Sequence, residues 1–241
     1  MPAAKPVRHC LVTGANRGLG LEFVRQLLAR GDRVVATCRH PGKATALNAL
    51  AGEHPGRLHV LPLDVADPRT IAELLRELLL LGGDGADDRF DLLLNCAGVL
   101  HSGERFGSVG AANLDDSFRT NAMGPFLLTQ ALAPRLADGS RVANVSSQLG
   151  SIGGLSRFGT PSYNISKAAQ NMATVLLADA LRARGIIVVA LHPGWVQTDM
   201  GGAGATITAA ESVTGLLRLI GAQMIADSGK FLDWRGEALP W

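Results

Sequence analysis

The chain of 241 residues carries one tyrosine, three cysteines and four lysines, and no unbroken apolar run of bilayer length. Each scarcity excludes something. Cys10, Cys38 and Cys96 stand far apart inside apolar runs, without metal-ligand spacing, and their odd number argues against a disulfide framework. Buried thiols in a reducing compartment are expected. The six histidines form no i, i+4 pair and no cluster, so no metal site is expected. The leucine-rich run Leu74–Leu81 is interrupted by Arg76 and Glu77, far short of the roughly 20 residues of a membrane span. The opening MPAAKPVRHC lacks the apolar stretch of a signal peptide. The cytoplasm is the expected location, with no membrane partner. Net charge is only +2 with the arginines scattered, so no basic run is available to engage nucleic acid.

What is present fits a compact α/β protein. Hydrophobic residues make up 47% and charged residues 18% of the chain, a globular balance. Short apolar runs predict strands at Val7–Thr13, Arg33–Cys38, Leu58–Leu63, Phe90–Asn95, Arg141–Ser146 and Ile186–Leu191, with a weaker one at Lys230–Asp233. Helical periodicity separates them at Leu19–Arg30, Ala44–Ala51, Pro68–Leu81, Leu114–Leu136 and Ser162–Arg184. Runs such as Leu92–Leu94 are apolar on consecutive residues, as strands covered on both faces are. The expectation is a doubly wound Rossmann fold: a mostly parallel seven-stranded sheet with helices on both faces, forming one domain over 1–241. The Gly/Ala-rich stretch Gly201–Ala205 reads as part of a mobile loop, about 199–215, beside the substrate.

The first strand runs into Thr13-Gly14-Ala15-Asn16-Arg17-Gly18-Leu19-Gly20. Glycines in a strand-turn-helix context let backbone N–H groups approach a pyrophosphate at the helix N-terminus. The second strand ends in Cys38, where a carboxylate would select NAD, and Arg39 follows at once. Arg17 and Arg39 converging near the ribose suit a 2′-phosphate, so NADP(H) is the expected cofactor. Leu63-Asp64-Val65 and Asn95-Cys96-Ala97-Gly98 stand at strand ends, as cofactor contacts or as ordinary turns.

Tyr163 and Lys167 lie four apart on a predicted helix and share a face. Lowering a phenol from about 10 to about 7 takes roughly 4 kcal/mol. An ammonium about 5–6 Å away supplies roughly 3 kcal/mol at an effective dielectric of 20. Lys167 is therefore expected to make Tyr163 an acidic proton donor. Pro125, four residues after Asn121, denies the Asn121 carbonyl its helical partner. A kink is expected there, with a water on the freed carbonyl linking Lys167 to solvent.

The glycine turn, the N-x-A-G strand end and the Tyr163/Lys167 pair, in that order, resemble the short-chain dehydrogenase/reductase family. The resemblance covers essentially the whole chain. The ending Gly229–Trp241 and the opening Gly18-Leu19-Gly20-Leu21-Glu22 look most like the C-factor/sniffer-type carbonyl reductases. The resemblance implies that Tyr163 is the acid/base, that Lys167 also bonds the nicotinamide ribose, and that Ser147 positions the substrate oxygen, with Ser146 the alternative. It implies a role for Asn121, adenine contacts by Asp64 and Val65, and cofactor contacts by Gly14, Asn16, Arg17, Gly18, Leu19, Gly20, Arg39, Asn95, Ala97 and Gly98. Pro193, Gly194, Val196 and Thr198 then cover the nicotinamide. Cys96 departs from the family's second asparagine. The implied function is carbonyl/alcohol oxidoreduction by a homodimer or homotetramer joined through 114–136 and 162–184; the alternative is an NADP(H)-sensing regulatory protein. Phe158, Trp195 and Met200 are candidates for substrate contact or for core, beside an open pocket.

Overall fold

The computed structural model describes residues 7–82 and 89–241; part of the opening segment read for a signal peptide, residues 1–6, lies outside them. Seven strands form one sheet: β1 (His9–Thr13), β2 (Arg33–Cys38), β3 (Leu58–Pro62), β4 (Phe90–Asn95), β5 (Leu136–Val145), β6 (Ile187–His192) and β7 (Phe231–Asp233). Their order is β3-β2-β1-β4-β5-β6-β7 and all neighbours run parallel. Between them lie α1 (Gly18–Ala29), α2 (Thr45–Glu53), α3 (Pro68–Leu81), α4 (Ala111–Phe118), α5 (Gly124–Leu132), α6 (Pro161–Ala180) and α7 (Ala209–Ala222). No helix among the described residues is long and apolar enough to cross a membrane.

The consecutive apolar residues of each strand divide between two cores. Cys10 and Val12 of β1 pack with Phe23 and Leu27 of α1, Leu47 of α2, and Val213 and Leu216 of α7. Leu11, between them, joins Ile71 and Leu74 of α3, Leu128 of α5 and Leu177 of α6 on the other face. Strand side chains alternate faces, so this is the doubly wound Rossmann arrangement expected from sequence. Each fully buried leucine contributes about 2 kcal/mol. The start of α3 follows its reading: Asp67 accepts from the Arg69 N–H and Pro68 takes the first helical position.

Two boundaries depart from expectation. The loop expected over about 199–215 ends at Thr208, where α7 begins. Thr208 and Glu211 form a reciprocal capping box, with Glu211 N–H donating to Thr208 Oγ1 at 3.1 Å and Thr208 N–H to Glu211 Oε2 at 2.9 Å. The single helix expected at Leu114–Leu136 is α4 and α5 joined by a π-helical turn, Arg119–Met123. Gly124 N–H bonds the Arg119 carbonyl, a wider register adopted immediately before Pro125, whose missing N–H cannot serve the ordinary one. Pro134 lies in a short 3-10 turn (Ala133–Arg135), and Leu136 already pairs with Phe90 as the first residue of β5.

Candidate active site

The strand order reverses direction between β1 and β4, and the sheet opens there at its carboxyl edge. Thr13 ties the two strand ends together: its Oγ1 accepts from the backbone N–H groups of Cys96 and Ala97 at 3.0 and 3.1 Å. Gly14 follows with φ +64, and a Cβ there would lie 2.7 Å from Ala97 Cα, so only glycine lets the turn sit against β4. A Cβ on Gly20 would strike the Gly14 carbonyl oxygen. Helix α1 starts at this turn without a side-chain cap or an acidic residue in its first turn. Its free N–H groups fit an anion such as a pyrophosphate.

A cleft runs from this turn across the strand ends. It is lined by thirteen of the expected cofactor residues apart from Tyr163 and Lys167: Gly14, Asn16, Arg17, Gly18, Leu19, Gly20, Arg39, Asp64, Val65, Ala97, Gly98, Pro193 and Thr198. Asn95, Gly194 and Val196 do not line it. Asn95 is buried beneath, its Nδ2 donating to Asn144 Oδ1 at 2.8 Å and Thr129 Oγ1 at 3.1 Å. Val196 bridges Ile207, which makes it a brace of the 193–208 loop.

At the end of β2 the exposed Arg39 lines the cleft together with His40 and Lys43. Lys43, in the turn Pro41–Lys43, was not among the expected cofactor residues and lines the cleft with Arg39. Arg17, expected to converge with Arg39, lines the same cleft and pairs with Asp199 of the 193–208 loop at 2.9 Å. Both partners are exposed, so the pair is worth under about 1 kcal/mol.

Tyr163 and Lys167 line the same cleft and are buried, at 8% and 3% exposure. The Lys167 ammonium lies 5.7 Å from the Tyr163 ring centroid, the separation expected, yet the phenol is not acidified. Burial pushes Tyr163 up to about 12, and its hydrogen bond with Ser147 draws it back only in part. Burial also lowers Lys167 to about 8. Lys167 therefore loses its proton before Tyr163 does, and no ammonium remains at the pH where the phenol ionises. Desolvation of both groups overrides the charge interaction that spacing suggests. Ser147, the preferred serine, meets Tyr163 in this bond. Its Oγ also accepts from Leu149 N–H at 3.1 Å. Ser146 is committed elsewhere, donating to Asn171 Oδ1 at 2.6 Å.

Below the pair runs a buried polar chain. Lys167 Nζ donates to the Val145 carbonyl at 2.7 Å and Gln170 Oε1 at 2.8 Å; Thr174 bonds the Gln170 carbonyl and Asn144, which reaches Asn95. The Asn121 side chain holds Val99, accepting from its N–H and donating to its carbonyl, both at 2.9 Å, and donates to Ser166 Oγ at 3.0 Å. Cys96 sits at the cleft with its thiol pushed up to about 12 by burial, against the pull of Lys167. Phe158, Trp195 and Met200 are all about half exposed, which removes the core reading for each. The site thus offers a protonated phenol, a hydroxyl beside it and an ammonium behind it, facing a glycine turn built for an anion.

The model of the short chain dehydrogenase family matches residues 8–206. The chain is 44% identical to the C-signal protein of Myxococcus xanthus over 153 residues, 63% of this chain and 92% of that protein. Among solved structures it is similar to the carbonyl reductase Sniffer of D. melanogaster, with a TM-score of 0.92 and 31% identity over 98% of this chain and all of that one. An NADPH-bound carbonyl reductase from chicken fatty liver superposes with a TM-score of 0.88 and 39% identity, covering 98% of this chain and 99% of that one.

Proposed function

The chain belongs to the short chain dehydrogenase family, and on that premise we propose that it is an NADP(H)-dependent carbonyl reductase acting on small-molecule carbonyl and alcohol groups. The observation that carries the reading is that Tyr163 and Lys167 line one cleft with an uncapped glycine turn, while Ser147, which does not itself line the cleft, bonds the Tyr163 phenol. The residues present fit the dinucleotide. The turn Gly14–Gly20 would hold its pyrophosphate, Asp64 and Val65 the adenine, Ala97, Gly98, Pro193 and Thr198 the nicotinamide side. Arg39, with Lys43 beside it, would grip the 2′-phosphate, since no carboxylate ends β2. Bound there, the cofactor supplies the hydride.

The protein's own part is to manage the substrate oxygen. Tyr163, held near 12, stays protonated at neutral pH and is a donor ready for the negative charge that develops on a reduced carbonyl. Ser147, already bonded to that phenol, orients the oxygen. Lys167, still charged below about 8, stabilises the phenolate left behind. The π turn beside Asn121 supports a water relay from Lys167 outward, because a wider turn leaves a carbonyl without its usual donor. The exposed Phe158, Trp195 and Met200 suit an open, apolar rim.

Replacing Tyr163 by Phe tests the reading: turnover of a carbonyl panel, followed by NADPH absorbance, falls several hundredfold or more while NADPH affinity is retained. Similarity to the C-signal protein favours a second reading, an NADP(H)-sensing regulatory protein. On that reading wild type and Tyr163→Phe bind NADPH alike and neither turns over. We also place the whole chain in one cytoplasmic domain that self-associates through α4, α5 and α6, where α4 exposes Phe118 and α6 exposes Ile165, Met172 and Leu176.

A further inference from the structure

The helix that carries Tyr163 begins without a cap of its own. Thr160, just before α6, is the one non-glycine residue of positive φ among the described residues, at 40°, and its side chain bonds no backbone N–H of the first turn. Its hydroxyl turns instead to Asn164 Oδ1 at 3.1 Å. The first N–H groups of a helix need partners from somewhere. Here the partner comes from 58 residues upstream. Glu104 Oε2 accepts from the Ser162 backbone N–H at 3.2 Å and from the Ser162 hydroxyl at 2.7 Å, while Oε1 accepts from Asn113 Nδ2 at 3.3 Å. Burial works to raise the Glu104 carboxyl, but the bonds from Ser162 and Asn113 outweigh it and leave the group below its ordinary value. A carboxylate at this end also complements the helix dipole.

Glu104 belongs to the segment between β4 and α4, which follows Gly98 along the cleft. That segment is pinned at four places: Val99 by the Asn121 side chain, His101 Nε2 by Asp116 Oδ2 at 2.8 Å, Glu104 by Ser162, and Phe106 edge-on against Phe158 with ring centroids 5.9 Å apart. Ser162 immediately precedes Tyr163. One carboxylate therefore joins the segment that continues from Gly98 and Val99 of the cleft to the first turn of the helix that carries Tyr163.

We propose that Glu104 is a positioning residue: as a cap supplied from a distant loop it fixes the first turn of α6 and so aims the Tyr163 hydroxyl at Ser147 and the cleft. The inference rests on the reading of Tyr163 as proton donor, and its test separates the two. Because Tyr163 is the only tyrosine, biosynthetic 3-fluorotyrosine gives one 19F resonance that reports this side chain without reference to activity. In Glu104→Ala that resonance broadens or splits, and kcat for an aldehyde at saturating NADPH falls about tenfold or more, with the Kd for NADPH unchanged. Glu104→Gln, whose amide oxygen accepts from the same two donors, restores one resonance and most of kcat. A wild-type resonance and kcat in Glu104→Ala overturn the proposal. So does a loss that Glu104→Gln does not repair, because charge and not the capping oxygen would then be at work. If Glu104→Ala does not fold, Ser162→Ala, which removes one of the two donors, must move the resonance and kcat in the same direction; an unmoved resonance overturns the proposal. A wild-type protein that reduces no carbonyl sinks the reductase reading alone, and the 19F comparison still decides the cap.

Discussion

Replacing Lys167 by Met changes how stability depends on pH, in a direction set by the burial of its ammonium. In the unfolded chain this lysine holds its proton up to 10.5; in the fold, burial makes it release the proton near 8. Below pH 8 both states carry the charge, and the native state bears the full cost of a buried ammonium, about 3 kcal/mol at 1.36 kcal/mol per pH unit. Above 10.5 neither state carries it and the cost is gone. The stability tied to the neutral lysine is thus present at high pH and lost as pH falls toward 8. Linkage gives a penalty of about 3 kcal/mol at pH 7 and about 1 kcal/mol at pH 10. Methionine does not titrate. Its substitution leaves the Val145 carbonyl and Gln170 Oε1 without the Lys167 donor, a cost of about 1–3 kcal/mol each that is the same at every pH. Cys10 and Cys96, both raised by burial, destabilise the fold above about pH 9 in both proteins, so their contribution cancels in the difference. Urea unfolding of the cofactor-free proteins at pH 7, 8, 9 and 10 should therefore show wild type gaining about 2 kcal/mol on Lys167→Met across the range. A gap that stays level within about 0.5 kcal/mol refutes the reasoning, since Lys167 would then keep an ordinary affinity for its proton. Tyr163 adds an internal check. Raised to about 12, its contribution is intact below pH 10 and lost only as pH rises beyond. With one tyrosine in the chain, near-ultraviolet phenolate absorbance should stay absent from the folded protein through the whole titration.

Arg39→Asp should reverse cofactor preference: wild type binds NADPH at least about tenfold more tightly than NADH, and fluorescence titration of the variant gives the opposite order. Lys43→Ala should weaken NADPH and leave NADH unchanged in the same titration; equal losses for both would remove Lys43 from the 2′-phosphate. Gly14→Ala drives a Cβ against Ala97 at a left-handed φ, where Thr13 pins the neighbouring backbone. Thermal unfolding should show a loss of about 2 kcal/mol or more, together with lost NADPH binding. Met172→Glu places a charge on the exposed face of α6, and light scattering should report a smaller particle than wild type; an unchanged mass would put the interface elsewhere.

The fold was legible because its signals are local. Leu92–Leu94 announce a strand covered on both sides before any partner is known, and Asp67-Pro68 mark a helix start from two residues. The helix α7 was just as legible: Thr208 and Glu211 stand at capping-box spacing, and Val213, Leu216, Leu217 and Ile220 repeat with helical period. The glycine-rich stretch before it, Gly201–Ala205, makes a longer loop the expectation and masks this helix start. Lys43 was hidden for a different reason. Its place beside Arg39 depends on the turn at Pro41, and a turn folds a residue back without changing its spacing in sequence.

The site was legible as a set of residues and misread as electrostatics. Spacing placed an ammonium 5–6 Å from a phenol, and that distance is correct. The sign of the outcome depends on how much water both groups lose, a property of the whole packed surround. Ser162, Ser166, Gln170 and Asn171 on α6, with Asn144 in β5 and Ser146 just after it, surround the pair with buried polar side chains. There the charged lysine costs more than it gains, and the phenol keeps its proton. The Glu104 contact lies beyond sequence reading for a related cause. A cap supplied by the helix's own N-cap residue is visible as a residue type at a fixed offset, whereas one supplied from 58 residues away leaves only an absence: a helix start, Thr160-Pro161-Ser162-Tyr163, with nothing of its own to hold the first turn. A functional helix that lacks a local cap is therefore a place to look for a distant acceptor. Its removal should disturb the aim of the side chain behind it more than the stability of the fold, because the core that holds α6 through Leu177 and Ala178 does not include Glu104.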